Sequence, residues 1–241
     1  DLEAVDWAAA AEADLAGADR EDKVLWIPLF CGLFGRLHSF LGFENALVAL
    51  CEEPEETQAL IDAYCDFKLR EIDKVITYYH PEVVCMHDDY GMKSNMLLSP
   101  DMWRRFFKEP LRRINDYCTG RNTIFVLHCC GKVDPIVGDF VDLGITAWDS
   151  VNYCNDLPEL YRKYGKALSF TTSLDMPFLT TAGEEQVRQH VRESIDMLGI
   201  YGNMSPRDDS PTIPRHTLDI IADETRAYGR EYYIRHPIPE G

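Results

Sequence analysis

The sequence predicts an α/β protein in which βα units build a parallel sheet. Short apolar runs rich in β-branched or aromatic residues recur along the chain, and a longer stretch with helical spacing follows each run. A chain of 241 residues also has the length of an α/β barrel. The predicted strands are VLWIPLF at 24–30, VVCMH at 83–87, TIFVLH at 123–128, ITAWD at 145–149, ALSFTT at 167–172 and LGIYGN at 198–203.

Helix start and stop signals lie between these strands. The longest helix is expected to begin after Pro54, with acidic residues in its first turn, and to end before Pro81. In the next segment Ser99 is a predicted N-cap and Pro100 a first helical residue. Pro110, further along the same segment, predicts a kink because proline removes a helical hydrogen bond.

The organisation of the chain favours one domain over residues 1–241. Gly199 and Gly229 follow helical patterns and are predicted C-caps of the last two helices. The sequence contains no linker, internal repeat or low-complexity tract. A single domain is therefore the simplest prediction.

Composition excludes some classes of partner. Lys and Arg number 24 against 41 Asp and Glu, and the resulting charge of −17 predicts repulsion from nucleic acid. No stretch approaches the roughly 18 apolar residues of a membrane span, and the acidic, Ala-rich start is unlike a signal peptide. Eight scattered cysteines match no secreted disulfide pattern. We expect a soluble cytoplasmic protein with reduced thiols, and a homodimer is allowed.

A histidine and a cysteine end the third predicted strand. His128 and Cys130 lie two residues apart, so the pleat aims both side chains at one face, with Cys129 on the other. Gly131 then allows a sharp turn. Imidazole and thiolate suit zinc, and strand ends are where barrel active sites form. The alternative is a hydrogen-bonded core histidine beside cysteines that fill space.

Acidic residues follow three other predicted strands. Asp88 and Asp89 follow 83–87, while Asp149 and Asp175 end or follow later strands. Carboxylates at converging strand ends can bind substrate, orient a ligand or transfer protons. Singly, each is as compatible with an ordinary loop in which aspartate caps a turn.

Three consecutive segments resemble a known superfamily. They read DDYGMKSNMLLSPDMWRRFFKEPLRRI, LHCCGKVDPIVGDFVDLGITAWDSV and NDLPELYRKYGKALSFTTSLD. Together they resemble the uroporphyrinogen decarboxylase superfamily, and within it the corrinoid-dependent (methylcobamide) methyltransferases, through DD-x-G, SP-x-x-W, H-x-C-G and D-L-G-I. The likeness covers about residues 25–230.

The resemblance implies a (β/α)8 TIM barrel with His128 and Cys130 as zinc ligands. Relatives usually have a third ligand, a cysteine, after a late strand, but GIYGNMSPRDDSPTIP contains none. Asp208 or Asp209 could replace it, or Asp89 could complete a different ligand set. Family members are longer, so the chain is also expected to lack an N-terminal portion of the barrel.

The activity implied by the resemblance is methyl transfer between a corrinoid protein and a small thiol or methoxylated substrate. Zinc would withdraw charge from the substrate's sulfur or oxygen. Asp89 would orient a ligand or protonate the leaving group, Asp175 would line the pocket, and Asp88 and Asp149 would contact substrate. Two alternatives stay open: a metal-free decarboxylase-like lyase, and an inactive barrel that binds a corrinoid partner.

Overall fold

The computed structural model describes residues 1–174, 176–207 and 213–238. Within these ranges six parallel strands follow one another in chain order through one sheet, which confirms the predicted α/β class. The strands are β1 Trp26–Leu29, β2 Val83–His87, β3 Ile124–His128, β4 Ala147–Val151, β5 Ser169–Ser173 and β6 Met204–Arg207.

Helices connect the strands. They are α1 Trp7–Asp14, α2 Leu33–Leu41, α3 Phe43–Glu52, α4 Pro54–Tyr79, α5 Pro100–Trp103, α6 Glu109–Gly120, α7 Val137–Asp142, α8 Leu157–Tyr164, α9 Met176–Leu179, α10 Glu184–Leu198 and α11 Arg215–Arg235. Short 3-10 helices cover Leu2–Ala4 and Asp134–Ile136, and a π-helical segment covers Arg104–Lys108.

Five of the six predicted strands are confirmed to within two residues at either end. The prediction for 198–203 is wrong, because Leu198 ends α10 and the strand begins only at Met204. Gly202, with a φ of 73°, turns the chain between them. The true strand, MSPR, is short and contains a proline, so no apolar run marks it in the sequence.

The helix signals in the first half of the chain are confirmed. α4 begins at Pro54 and ends two residues before Pro81. The Ser99 hydroxyl accepts a hydrogen bond from the backbone N–H of Met102 at 3.2 Å, as an N-cap does. Near Pro110, where a kink was expected, the irregularity is the π-helical segment Arg104–Lys108.

The two predicted C-caps have different outcomes. Gly199 does cap α10, and its N–H donates to the carbonyl of Ile195 at 2.7 Å. The prediction for Gly229 is wrong, because α11 continues through it to Arg235. Tyr232, beyond the glycine, is 7% exposed within an apolar cluster, and burial of that ring favours continuing the helix.

The chain divides into two compact units. The first comprises Asp1–Tyr90, Leu97–His128 and Asp142–Ile145. In it β1, β2 and β3 pair in register, so that His87 lies opposite His128 where β2 and β3 end. Trp103 is fully buried.

The second unit comprises Gly91–Met96, Cys129–Val141 and Thr146–Gly241. In it β4 pairs with β5 and β5 with β6, and α10 packs against α11. Its apolar cluster consists of Leu174, Leu179, Val187, Val191, Ile195, Ile213, Ile221 and Tyr232. The single domain over 1–241 stays a prediction.

Two further observations concern the class of protein. None of the helices among the described residues is both long and apolar enough to cross a membrane. All eight cysteines are free thiols, four of them buried.

Glu224 of α11 should stabilise the second unit through two cations on α10. Its buried carboxylate accepts from Arg188 at 3.0 Å and Arg192 at 2.6 Å, and these arginines hold the pKa of Glu224 below its usual range. We expect Glu224→Gln to lower the free energy of unfolding at pH 7 by about 1–3 kcal/mol in urea titrations followed by circular dichroism.

The matched control is Glu159→Gln. Glu159 also binds two cations, Arg162 and Lys163, but its side chain is 40% exposed, so water screens these pairs. Because the folded-state pKa of Glu224 is lowered, its contribution is present above the unfolded pKa of about 4.3 and is lost as pH falls through the folded value. Equal losses in both variants would contradict this assignment.

Candidate metal centre at the strand ends

His128 ends β3 beside His87, which ends β2. Their rings stack with centroids 3.9 Å apart and 14° between the planes. The N–H of Asp88 donates to the carbonyl of His128 at 2.9 Å. The parallel register therefore holds the imidazole of His128 against a second ring at the carboxyl ends of the strands.

Asp89 and Cys130 lie close to the imidazole of His128. Asp89 Oδ1 is 3.9 Å from His128 Nε2. One ligand atom from each of Asp89, His128 and Cys130 lies within 4.8 Å of the other two. The expected convergence of His128 and Cys130 is therefore observed, and Asp89, which the sequence offered for a different ligand set, lies with them. Metal binding by these residues stays a prediction.

Cys129 is buried, whereas Cys130 is partly exposed. The carbonyl of Cys129 accepts from Trp148 Nε1 at 2.9 Å, and its N–H donates to the carbonyl of Asp149 at 3.2 Å. Trp148 is fully buried, as expected for a core residue. The backbone before Cys130 is thus fixed on both its donor and acceptor sides.

Two asparagines fix the loop that follows Cys130. Asn152 Oδ1 accepts from the N–H of Gly131 at 2.5 Å. Asn155 Oδ1 accepts from the N–H of Val133 at 2.8 Å, and its Nδ2 donates to the carbonyl of Gly131 at 2.9 Å. Asn155 is 6% exposed, so its amide supplies buried backbone groups with partners that water cannot supply. The loop is consequently preorganised.

Gly131 occupies a position that only glycine fits. Its φ is 84°, and a Cβ there would collide with the backbone of Gly91. The N–H of Lys132 donates to the carbonyl of Met92 at 2.7 Å, so the two loops run in backbone contact. The sharp turn predicted after Cys130 is confirmed.

Asp88 points to a different environment from Asp89. Its buried carboxylate accepts from the N–H groups of Phe34 at 3.1 Å and Gly35 at 2.9 Å, in the first turn of α2, and from the hydroxyl of Tyr90. Burial raises the pKa of Asp88 to about 6, although these hydrogen bonds act in the opposite direction. Asp88 anchors a helix, a task that the sequence does not reveal; its predicted contact with substrate stays a prediction.

The remaining acidic residues are only partly described. Asp149 is 9% exposed and its Oδ1 accepts from the hydroxyl of Thr171 at 2.5 Å. Its proposed contact with substrate is not tested by this geometry. Asp175, Asp208 and Asp209 lie outside the described residues.

Four residues near the site were not predicted from the sequence: His87, Ser150, Asn152 and Asn155. His87 is the first residue of HDDYG. It ends β2 as His128 ends β3, and this equivalent position is the signal that pairs the two histidines. Ser150 Oγ lies 3.2 Å from Cys130 Sγ, but no local pattern marks it.

Comparison with known proteins identifies the family. The uroporphyrinogen decarboxylase (URO-D) family pattern matches residues 33–205, well over half of the chain. The chain belongs to the URO-D family. The resemblance to this superfamily predicted from the sequence is confirmed. Two methyltransferases are among the proteins similar to the chain.

The methylcobamide:CoM methyltransferase MtaA of Methanosarcina barkeri is the first of these two similar proteins. It is 29% identical over 87 residues, which cover 36% of this chain and 25% of that protein. A solved methyltransferase from Methanosarcina mazei superposes with a TM-score of 0.77 at 15% identity, covering 92% of this chain and 64% of the other. The URO-D chain thus spans less than two thirds of either relative, and the structural likeness supports the predicted TIM-barrel fold.

The donor set of this URO-D site fits zinc. Nitrogen, sulfur and oxygen ligands in a tetrahedral zinc site lie roughly 3.5 Å from one another. The observed separation of 3.9 Å between Asp89 Oδ1 and His128 Nε2 is close to that value. The side chain of Asp89 is 54% exposed, whereas that of His128 is 16% exposed. Three protein ligands would leave the fourth position for a substrate, as in catalytic zinc sites.

Substituting Gly131 should disturb the loop more than the same substitution elsewhere. Gly17 has a similar φ of 81°, and a Cβ added there would meet no atom within 4 Å, so Gly17→Ala tests backbone strain alone. We expect Gly17→Ala to cost about 1–2 kcal/mol and Gly131→Ala about 2–5 kcal/mol, because overpacking adds about 1–3 kcal/mol. Urea unfolding of both variants measures the difference, and equal losses would show that the backbones of Gly131 and Gly91 are not in contact.

Adjacent aspartates should contribute unequally to stability. Asp88→Ala leaves two helix N–H groups and a hydroxyl without their acceptor, and we expect the free energy of unfolding to fall by about 2–4 kcal/mol. Asp89→Ala removes a half-exposed side chain and should change it by less than about 0.5 kcal/mol. Chemical denaturation of both variants measures these changes in the free energy of unfolding. A larger loss for Asp89→Ala than for Asp88→Ala would contradict the assigned environments.

Proposed function

We propose that the chain is a zinc-dependent methyltransferase that moves a methyl group between a corrinoid protein and a small thiol or methoxylated compound. The observation that carries the proposal is the convergence of Asp89, His128 and Cys130 within 4.8 Å at the strand ends. Membership of the URO-D family and similarity to a methylcobamide:CoM methyltransferase support the same reaction class.

Asp89 serves as the third ligand in this proposal. Its Oδ1 lies 3.9 Å from Nε2 of His128, and its side chain is accessible to an ion from solvent because it is 54% exposed. Carboxylate and thiolate together would balance the two charges of zinc. Bound zinc would act as a Lewis acid that lowers the pKa of a substrate thiol or polarises a methyl ether.

Transfer of the methyl group to a thiol exchanges one bond for another. The cobalt–carbon bond of the methylated corrinoid breaks and leaves its electron pair on cobalt, while a sulfur–carbon bond forms and the thiol proton leaves to solvent. His128 and Cys130 would hold the metal, and the hydrogen bonds of Asn152 and Asn155 to the loop keep Cys130 in place. Preorganised ligands spare the reaction the free energy of ordering them.

The other proposed roles follow from placement along the chain. Asp149, which lies within β4, and Asp175, which follows β5 in the sequence, would contact substrate. The corrinoid would arrive on a separate protein, and a homodimer is compatible with the acidic composition. A net charge of −17 opposes nucleic acid as a partner, and eight free thiols fit a reducing cytoplasm.

Zinc content tests the metal centre. Wild-type protein reconstituted with zinc and dialysed should hold about one equivalent by plasma mass spectrometry. Cys130→Ser and His128→Ala should lose stoichiometric zinc, whereas Cys129→Ser, which removes the neighbouring buried thiol, should retain it. Retention by Cys130→Ser, or absence of zinc from the wild type, would refute the centre and favour a metal-free lyase.

Methyl transfer tests the reaction with free methylcobalamin as probe. Demethylation is followed by absorbance with a panel of small thiols, and the reverse reaction with cob(I)alamin and methoxylated compounds. We expect turnover by the wild type and Cys129→Ser and a loss of at least about 100-fold in His128→Ala. Zinc binding without turnover on any substrate would favour an inactive barrel that binds a corrinoid partner.

A further inference from the structure

Ser150 has an unusual backbone conformation for its position. Its φ is 60°, inside β4, where the register with β5 shifts between Asp149 and Val151. A residue with a side chain in the left-handed region costs free energy, and serine gains less there from local hydrogen bonds than asparagine does. Such strain persists where the surrounding structure requires it.

The other non-glycine residues with positive φ in the described part of the chain lie outside the strands. His80 is the left-handed C-cap of α4, and Asn122 belongs to the turn before β3, where asparagine is well tolerated. Cys31 lies between β1 and α2. Of the four, Ser150 is the one within a strand, so a turn or a cap does not account for it.

The bulge at Ser150 directs its hydroxyl to a specific atom. Ser150 Oγ lies 3.2 Å from Cys130 Sγ, within hydrogen-bonding distance for sulfur. A bulge re-aims one side chain of a strand without changing the rest of the sheet. A regular strand would orient the side chain of residue 150 differently. The irregularity of β4 at this residue therefore explains both the strained backbone and the contact with sulfur.

The contact belongs to a series along the chain. The carbonyl of Asp149 accepts from the N–H of Cys129, and Oδ1 of Asn152 accepts from the N–H of Gly131. Ser150 lies between Asp149 and Asn152 in the chain. Its side chain contacts that of Cys130, which lies between Cys129 and Gly131. The end of β4 and the residue after it, 149–152, therefore contact three consecutive residues, 129–131, and at the middle one the contact is with the sulfur itself.

We propose that Ser150 is a positioning residue that donates a hydrogen bond to the Cys130 thiolate and thereby tunes the metal bound there. The inference rests on the proposed zinc centre. A hydroxyl that donates to the thiolate draws charge from sulfur, fixes its direction and leaves the metal a stronger Lewis acid. This role acts through Cys130, not through contact with substrate.

Two substitutions separate the hydroxyl from the backbone strain. Ser150→Ala removes the hydroxyl and keeps a side chain at positive φ, whereas Ser150→Gly removes the hydroxyl and relieves the strain. Asn122→Gly is the matched control, because it relieves strain at a φ of 56° on the turn before β3 and touches no thiolate. Each variant is made in the full chain.

The readouts are metal affinity and the spectrum of the cobalt(II)-loaded protein. We expect both Ser150 variants to bind zinc about 10- to 100-fold more weakly in chelator competition. Their thiolate-to-cobalt charge-transfer band should move to longer wavelength, because sulfur without the donor holds its electrons less tightly. The melting temperature of the metal-free protein should rise in Ser150→Gly and Asn122→Gly alone.

The outcomes distinguish this inference from the proposed function. A wild-type protein that binds neither zinc nor cobalt would refute both. Wild-type affinity and an unshifted band in Ser150→Ala would refute the role of Ser150 and leave the zinc centre standing. Wild-type behaviour in Ser150→Gly but not in Ser150→Ala, or a shifted band in Asn122→Gly, would show that backbone strain and not the hydroxyl controls the site, which also refutes the inference.

Discussion

The candidate site depends on one constraint, the hydrogen bonds between residues 149–155 and residues 129–133. A strand end by itself leaves its following loop free to move, and a ligand on such a loop would be poorly placed. Here side-chain amides of Asn152 and Asn155 replace the missing strand partners of that loop. Because Asn155 is buried, these bonds form without competition from water, and the position of Cys130 follows from them.

What could be predicted from the sequence is what depends on neighbours along the chain. The strands follow from apolar runs, and the convergence of His128 with Cys130 follows from the pleat, which is a local property. β6 was missed because its pairing with β5, not its own composition, makes it a strand. Ser150 was missed for a related reason, since its role depends on a sulfur 20 residues earlier in the chain.

Asp88 and Asp89 show where residue type ceases to be informative. They are chemically identical neighbours, and from the sequence both are candidates for the same site. The fold turns Asp88 to the first turn of α2, where backbone N–H groups and a hydroxyl occupy its oxygens. It turns Asp89 to His128, half exposed. Alternation along the chain separates them, so one stabilises a helix and the other lies beside His128.

An oxygen ligand in place of the cysteine that the family resemblance implies has a definite chemical consequence. Thiolate and carboxylate each carry one negative charge, so the charge balance of the proposed zinc centre would not change. The softness of the ligand would change, because a carboxylate shares less electron density with zinc than a thiolate does. The metal would keep more of its positive charge, and the proposed hydrogen bond from Ser150 to the remaining thiolate would act in the same direction. Both features would increase the polarisation of a bound substrate atom, so the ligand change and the strained serine are physically consistent with each other.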